Sequence, residues 1–369
     1  MRLDFRFAII SDPHIALPHT IWDHPTRFHL VEVSIPALEQ VLAQLESLDL
    51  DFLLLPGDLT QHGEPDNHAW LAHRLAQLPY PVYVVPGNHD VVAQHPSDRS
   101  IGVGDFTSYY TKMGYDNPRQ IYYSHELVPG VRLIGLNSNA FDADGKQLGT
   151  GYLDIEQLIW LEQTLATAQE ELIVVMIHHN VLEHLPGQSS HSMGQRYMLS
   201  NADKLLHILR SAHVPLIFTG HLHVQDIAYA QGIYEITTGS LVSYPHPYRI
   251  LHFYQDDDGK RWLQVESDRV LTLPDFPDLQ HLSREWMGDR SFHFMFKLLS
   301  QPPLNLPLIE AESLAPDLRY FWADIAGGDA LFDFSHFPDP VRRYLRAFSA
   351  IDTAGNPHLI DNQITLSLS

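Results

Sequence analysis

Leu216-Ile217-Phe218-Thr219-Gly220-His221-Leu222-His223 is an apolar run that stops at a glycine and delivers two histidines. A parallel strand covered on both faces reads this way, because it has no solvated side to make polar. Four other stretches repeat the arrangement. Phe7 to Ile10 leads to Asp12-Pro13-His14, and Phe52 to Leu55 leads to Gly57-Asp58. Val82 to Val85 leads to Gly87-Asn88-His89-Asp90, and Ile173 to Ile177 leads to His178-His179. Strands that all end in polar motifs gather those motifs on one sheet edge, where open α/β proteins place their chemistry.

Between these strands lie helical patterns, Pro36 to Leu48, His68 to Leu78 and Ala202 to Ala212. Asp154 to Thr167 is another, with Leu158, Leu161 and Leu165 at helical spacing. A loop-rich stretch, Val91 to Pro118, follows the third motif and is placed to overhang the site. After His223 the pattern changes to consecutive strands: Val224 to Ala230, Ile233 to Thr238, Arg249 to Gln255 and Arg261 to Ser267. Asp258-Gly259 is a hairpin turn between the last two. A βα half followed by a β half predicts two sheets packed face to face, with helices outside. Composition shifts at Leu273-Pro274-Asp275-Phe276-Pro277, which places a boundary between residues 1–272 and 273–369. The second part reads as mainly helical: Leu279 to Ser300, Ala311 to Ile325 and Asp339 to Ala350. It is rich in aromatics, among them Trp286, Phe294, Phe321 and Trp322, so it is expected to pack on the sandwich or to form a homodimer.

The chain of 369 residues is long enough for one large and one small domain. Its formal net charge of −22 argues against a groove for duplex nucleic acid and against a polybasic membrane surface. An anionic substrate stays open, because bound divalent ions reverse the local field. No cysteine is present, so disulfides, thiolate metal sites and cysteine nucleophiles are excluded. Neither a signal peptide nor a run long enough to span a bilayer is expected, and the cytosol is the expected compartment.

Asp12 and His14 are two residues apart, and in an extended segment such residues point to the same side. His221 and His223 share that spacing. Asn88 and His89 are adjacent and should diverge, one toward a metal and one toward substrate. A mixed set of Asp, Asn and His suits Mn²⁺, Fe²⁺ or Zn²⁺ and is poor for Ca²⁺. Asp58 can bridge two ions with its two oxygens. Two ions about 3.5–4 Å apart can clamp a phosphate and hold a hydroxide at neutral pH.

The ordered pattern D-x-H, G-D, G-N-H-D, H and G-H-x-H resembles the calcineurin-like metallophosphoesterases, and within them the class III cyclic-nucleotide phosphodiesterases. The resemblance covers roughly residues 1 to 270. It implies a four-layer αββα sandwich of two mixed β-sheets, two divalent ions, substrates among small phosphodiesters such as cyclic nucleotides, and attack by a hydroxide held between the ions. It assigns one metal, Mn²⁺ or Fe²⁺ with Zn²⁺ as a third choice, to Asp12, His14, Asp58 and His223. The second goes to Asp58, Asn88, His178 and His221, with His179 as runner-up to His178. His89 becomes the catalytic histidine. Two departures stand out. Many relatives carry an acid three positions after the bridging aspartate, to orient the catalytic histidine; here Gln61 stands there, and Asp90 or Glu64 is the replacement to test. The fourth motif ends in Asn180 where proline is frequent. His19, His24, His29, His62 and His95 read as solvated loop residues, and Trp22, Tyr109 and Tyr110 as packing aromatics that could otherwise stack on a base.

Overall fold

All four side chains of Phe52–Leu55 are buried, and so are all four of Leu216–Thr219. Each of these strands pairs in parallel with a neighbour on both sides, so each lies inside a sheet. The computed structural model describes residues 2–22, 24 and 27–368. Its strands are β1 (Asp4–Ile9), β2 (Phe52–Leu55), β3 (Val82–Val84), β4 (Tyr123–Val128), β5 (Val131–Gly135) and β6 (Leu172–Met176). They continue as β7 (Leu216–Thr219), β8 (Asp226–Ala230), β9 (Ile233–Thr237), β10 (Pro247–Gln255), β11 (Arg261–Arg269) and β12 (Gln363–Ser367). One sheet runs β12-β11-β10-β1-β2-β3, the other β4-β5-β6-β7-β9-β8. Both are mixed. In the first, Phe7 pairs in parallel with Phe52 and antiparallel with Leu251.

The strand-only stretch after His223 is divided between the sheets. β8 and β9 finish the second, while β10 and β11 return to the first, joined by the hairpin turn at Gly259 (φ +79°). The sheets meet through aromatic side chains. Phe7 of the first stands edge-on to Phe218 of the second, 5.6 Å between ring centres, and within the first sheet Phe5 stacks on its cross-strand partner Phe253 at 5.0 Å. Each such side chain contributes about 1.5–3 kcal/mol when fully buried.

Helices cover the outer faces. Those of the first part are α1 (Ser34–Leu45), α2 (Pro65–Leu75), α3 (Val103–Tyr109), α4 (Ile155–Thr167), α5 (Ser192–Gln195) and α6 (Ala202–Ser211). Asp154 caps α4 by accepting from the Gln157 N–H, which satisfies one donor of the open first turn. Leu158 and Leu161 of α4 and Leu205 and Leu209 of α6 pack in one cluster with Val175 and Ile217 of the second sheet. Leu38 and Leu42 of α1 and Leu71 of α2 belong to the core of the first. The architecture is the αββα sandwich.

The C-terminal part carries α7 (Leu279–Ser300), α8 (Leu308–Leu314), α9 (Phe321–Ala326) and α10 (Asp339–Arg346). Met287, Met295, Phe321 and Leu345 form a core with Leu222 and Val224, residues of the fifth motif and its exit. The chain then returns as β12, whose Ile364 pairs with Val265 of β11. Among the described residues no helix is long and apolar enough to cross a membrane.

Candidate metal centre

The first two motif loops zip together beyond their strands. Asp12 N–H donates to the Gly57 carbonyl (3.2 Å), His14 N–H to that of Asp58 (3.0 Å) and Ile15 N–H to that of Leu59 (2.9 Å). Asp12, His14, Asp58, His221 and His223 all take left-handed backbone, with φ of +48°, +39°, +50°, +65° and +59°. Such values are uncommon for residues with a side chain, cost roughly 1–3 kcal/mol each and cluster at functional sites. The motifs are therefore tight turns and not extended chain, which corrects the reading from spacing. Asp12 and His14 do converge, but through the turn. His221 and His223 separate. Two glycines let the loops close. A Cβ on Gly57 (φ +104°) would lie 2.4 Å from His178 Nδ1, and one on Gly87 would lie 2.2 Å from Asp58 Oδ1.

The side chains form two groups that share Asp58. Asp12, His14, Asp58 and His223 offer donor atoms all within 4.8 Å of one another, and so do Asp58, His178 and His221. Asn88 joins the second group, its Oδ1 3.1 Å from His178 Nε2. His178 belongs to the cluster and His179 does not: His179 Nδ1 faces Ser138 Oγ at 2.8 Å. Main-chain carbonyls fix the tautomers, because a carbonyl can only accept. His178 donates Nδ1–H to Pro56 (2.8 Å), which turns Nε2 toward Asp58 at 3.4 Å; against the effect of burial, that carboxylate holds the imidazole up to about 9, so an ion ligated there displaces the Nε2 proton. His221 donates Nε2–H to Arg196 (3.1 Å) and keeps Nδ1. Such outer partners commonly orient metal-binding imidazoles. Asn180, at the position where proline is frequent, holds its loop by donating to Thr219 Oγ1 (3.1 Å), and Glu235 accepts the next two N–H groups, of Val181 and Leu182.

The electrostatics suit a cation. Burial, aided by the nearby His29, holds the His14 imidazole well below its usual range, and burial with His179 does the same to His221. Neutral imidazole is the form that ligates. His14 Nε2 and His223 Nε2 stand 3.4 Å apart, and His14 Nδ1 is buried with no hydrogen bond among the described residues. Burial would raise Asp58, but the facing His178 outweighs it and keeps the carboxyl well below its usual range. Converging nitrogen lone pairs around two buried carboxylates fit divalent ions of the Mn²⁺, Fe²⁺ and Zn²⁺ type.

His89 lies beside this cluster, its ring 4.8 Å from that of His14. Its N–H donates to Asp58 Oδ1 (2.8 Å), and its Nδ1–H donates to the main-chain carbonyl of Gln61 (2.6 Å). Neither Asp90 nor Glu64 orients it. The Asp90 carboxylate accepts from the N–H groups of Leu59, Thr60 and Gly87, bracing the second motif against the third. Glu64 accepts from His62 N–H and Asn67. The missing acid is replaced by a backbone oxygen.

All of this opens into a cleft of about 870 Å³, whose far side carries Arg290, His293, Phe294 and Lys297 of α7. Trp22 and His62 line it too, with rings 5.0 Å apart, and His62 in turn stacks on His89 at 5.0 Å. His62 is thus no solvated loop residue, and neither is His29, which is half-buried with its ring 4.1 Å from that of His14. His19, His24 and His95 are exposed as expected. Tyr110 is buried against His68 and Phe106, away from the cleft. Sequence reasoning missed Gln147, whose side chain donates to the carbonyls of Asn88 (2.8 Å) and Val91 (3.2 Å), and Ser240, which donates to that of Asp12 (2.8 Å).

The calcineurin-like phosphoesterase family model matches residues 5–225. The chain belongs to that family. Among curated proteins, a probable cyclic nucleotide phosphodiesterase of Moraxella catarrhalis is 28% identical over 51% of this chain and 65% of its own length. A 3',5'-cyclic-nucleotide phosphodiesterase of Nostoc is 26% identical over 50% of this chain and 60% of its own. A probable glycerophosphodiester phosphodiesterase of Arcobacter nitrofigilis is 26% identical over 47% of this chain and 56% of its own. The chain thus spans between 56% and 65% of the length of these relatives. The matched family region, 5–225, contains every clustered residue described above.

Proposed function

We propose that this protein is a two-metal phosphodiesterase acting on small phosphodiesters, with 3',5'-cyclic nucleotides the favoured class. The observation that carries the reading is the sharing of Asp58 between two donor groups, one with Asp12, His14 and His223, the other with His178 and His221. Asp12, His14, Asp58 and His223 would hold one ion. Asp58, Asn88, His178 and His221 would hold the second. Two such ions neutralise phosphate charge and lower the pKa of water. Residues 1–272 carry these groups, and residues 273–369 wall the cleft.

His89 is the acid of the proposed reaction. Its Nδ1–H is committed to the Gln61 carbonyl, which fixes the ring and leaves Nε2 for the substrate. Water would add to phosphorus and release one proton to solvent as the P–O bond to the leaving alkoxide breaks; His89 Nε2–H would give its proton to that alkoxide and regain one from solvent before the next turnover. The substrate lies against Trp22 and Phe294, which offer aromatic faces to a base, while Arg290 and Lys297 set positive charge opposite the metal cluster. A volume of about 870 Å³ lies within the usual range of small-ligand clefts.

The likeness to a protein named for glycerophosphodiesters supports a second reading, with that class as substrate. One experiment separates the two. Metal content is measured on the purified protein, and rates are compared on 3',5'-cyclic AMP, a glycerophosphodiester, bis(p-nitrophenyl) phosphate and p-nitrophenyl phosphate. Highest kcat/KM on the cyclic nucleotide, with two ions per chain, is the expected result. Preference for the glycerophosphodiester selects the second reading, and a chain that binds no divalent ion removes both.

A further inference from the structure

His29 lies outside every motif, in the loop that follows Asp12-Pro13-His14. Its placement is nonetheless tightly specified from two distant parts of the chain. On one side, the Trp286 indole N–H of α7 donates to the Phe28 carbonyl at 3.1 Å. On the other, Leu30 N–H donates to the Val242 carbonyl at 2.9 Å. Hydrogen bonds on both flanking residues hold the backbone of His29 over the first donor group. Its ring stands edge-on to that of His14, 4.1 Å between centres, and edge-on to that of His223 at 4.8 Å. One nitrogen from each of His14, His29 and His223 falls within 4.8 Å of the others; Asp12 and Asp58 are not part of this trio, so His29 meets the first donor group through its two imidazoles.

Resting on the two-metal reading above, we propose that His29 is an additional ligand of the ion held by Asp12, His14, Asp58 and His223. That site then has three imidazoles and two carboxylates, while the other has two imidazoles, the shared carboxylate and an amide. Imidazole-rich sets favour Zn²⁺, Co²⁺ and Fe²⁺ over Mg²⁺. The two sites therefore differ in affinity: the first fills first and empties last, and the second, poorer in protein donors, keeps its open positions for substrate. Trp286 is a positioning residue for this ligand, which couples the C-terminal helix to metal binding without touching the metal.

The test uses the full-length protein freed of metal and titrated with Co²⁺, reading stepwise affinities by calorimetry and coordination by visible absorption. The wild type is expected to bind two ions with separated affinities. In His29→Ala the tighter step weakens by at least about 10-fold, the scale of losing even an outer partner of a ligand. Its absorption spectrum changes while the weaker step holds. His29→Gln, which keeps most of the side-chain volume, is made in parallel, and circular dichroism verifies that both fold. Trp286→Phe removes the indole N–H while keeping an aromatic ring, and should weaken the same step by less. If both steps and both spectra match the wild type and only KM rises, His29 contacts substrate and is no ligand, so this proposal falls while the two-metal reading stands. If the wild type binds no Co²⁺, both fall together.

Discussion

Among the described residues, two buried histidine–carboxylate clusters balance their charge differently. The first surrounds Asp58. The second sits beside the end of the second sheet, where His184 is enclosed by Asp226 of β8 and Glu235 of β9. His184 Nδ1 is 2.6 Å from Asp226 Oδ2 and its Nε2 is 3.1 Å from Glu235 Oε1, with the imidazole entirely buried. Burial alone would lower this imidazole, but Glu235 and then Asp226 overcome it and hold the group up to about 10. His184 therefore carries a proton and is itself the cation of its cluster. Around Asp58 the ratio is reversed. His14, His178, His221 and His223 crowd two carboxylates; His14 and His221 are pushed toward the neutral form, and only His178, facing Asp58, is held up, to about 9. Where carboxylates outnumber imidazoles, a proton closes the site. Where imidazoles outnumber carboxylates, lone pairs remain, and a metal ion is the natural partner.

The largest test of this contrast is Asp58→Asn. It removes the one carboxylate common to both donor groups, so both ions should be lost together. Turnover should fall by more than about 100-fold, beyond the usual effect of changing an outer partner. Metal content by mass spectrometry checks it. Retention of two ions would show that the imidazoles suffice and that the ratio argument is wrong.

His89→Ala comes next. His89 stands beside the metal cluster without belonging to either donor group, so metal content should stay at the wild-type value. Turnover should drop by about 100- to 10,000-fold, the range of a lost general acid. Single-turnover rates with metal analysis on the same sample read both halves. Unchanged turnover would take His89 out of the mechanism.

His184→Ala probes the other cluster. Removing the imidazole takes away the cation that both Asp226 and Glu235 contact, which costs about 3–5 kcal/mol for a broken buried pair. The folded chain raises His184 above its ordinary value of 6.5. Its stabilisation is therefore complete below that value and is lost as pH rises through about 10. Urea denaturation should show the full gap between wild type and variant at pH 6 and a smaller gap at pH 10. Metal content of the folded variant should not change. Loss of metal would instead join the two clusters through the 178–184 loop, where Glu235 also anchors Val181 and Leu182.

The metal-facing cluster was far more legible in the sequence than its surroundings. Asp58, His178 and His223 follow buried strands, and a strand end fixes where the next residue goes. The order of motifs along the chain survives as neighbourhood in space because β1, β2 and β3 are parallel, as are β6 and β7. Other features had no such carrier. The Gln61 carbonyl that orients His89 is a backbone atom, which residue type does not announce. His29 stands beside His14 with its neighbours held by Trp286 and Val242, both more than 200 positions away. The split of His221 from His223 follows from left-handed φ values that spacing alone did not reveal. β12 had a signal, the alternation of Ile364, Leu366 and Leu368, but its partner β11 is nearly 100 residues upstream, beyond the helices of the C-terminal part.

The smallest expected effect belongs to Gln61→Ala. Its side chain does little for catalysis: Oε1 accepts from Trp22 N–H at 3.3 Å, and Nε2 is buried without a hydrogen bond among the described residues. The atom that holds His89 is the main-chain oxygen, and alanine supplies the same oxygen. Turnover should therefore change less than about 10-fold, well below the loss from His89→Ala. The pH profile should keep its shape, because no charge beside the imidazole has changed. Gln61→Glu sets the upper bracket. A carboxylate placed there would stabilise imidazolium and move the limb governed by His89 upward by about one to three pH units. If alanine displaced that limb as strongly as glutamate, the side chain and not the carbonyl would be the orienting group, and His89 would join the residues whose protonation is set by neighbouring side chains, as His184 is.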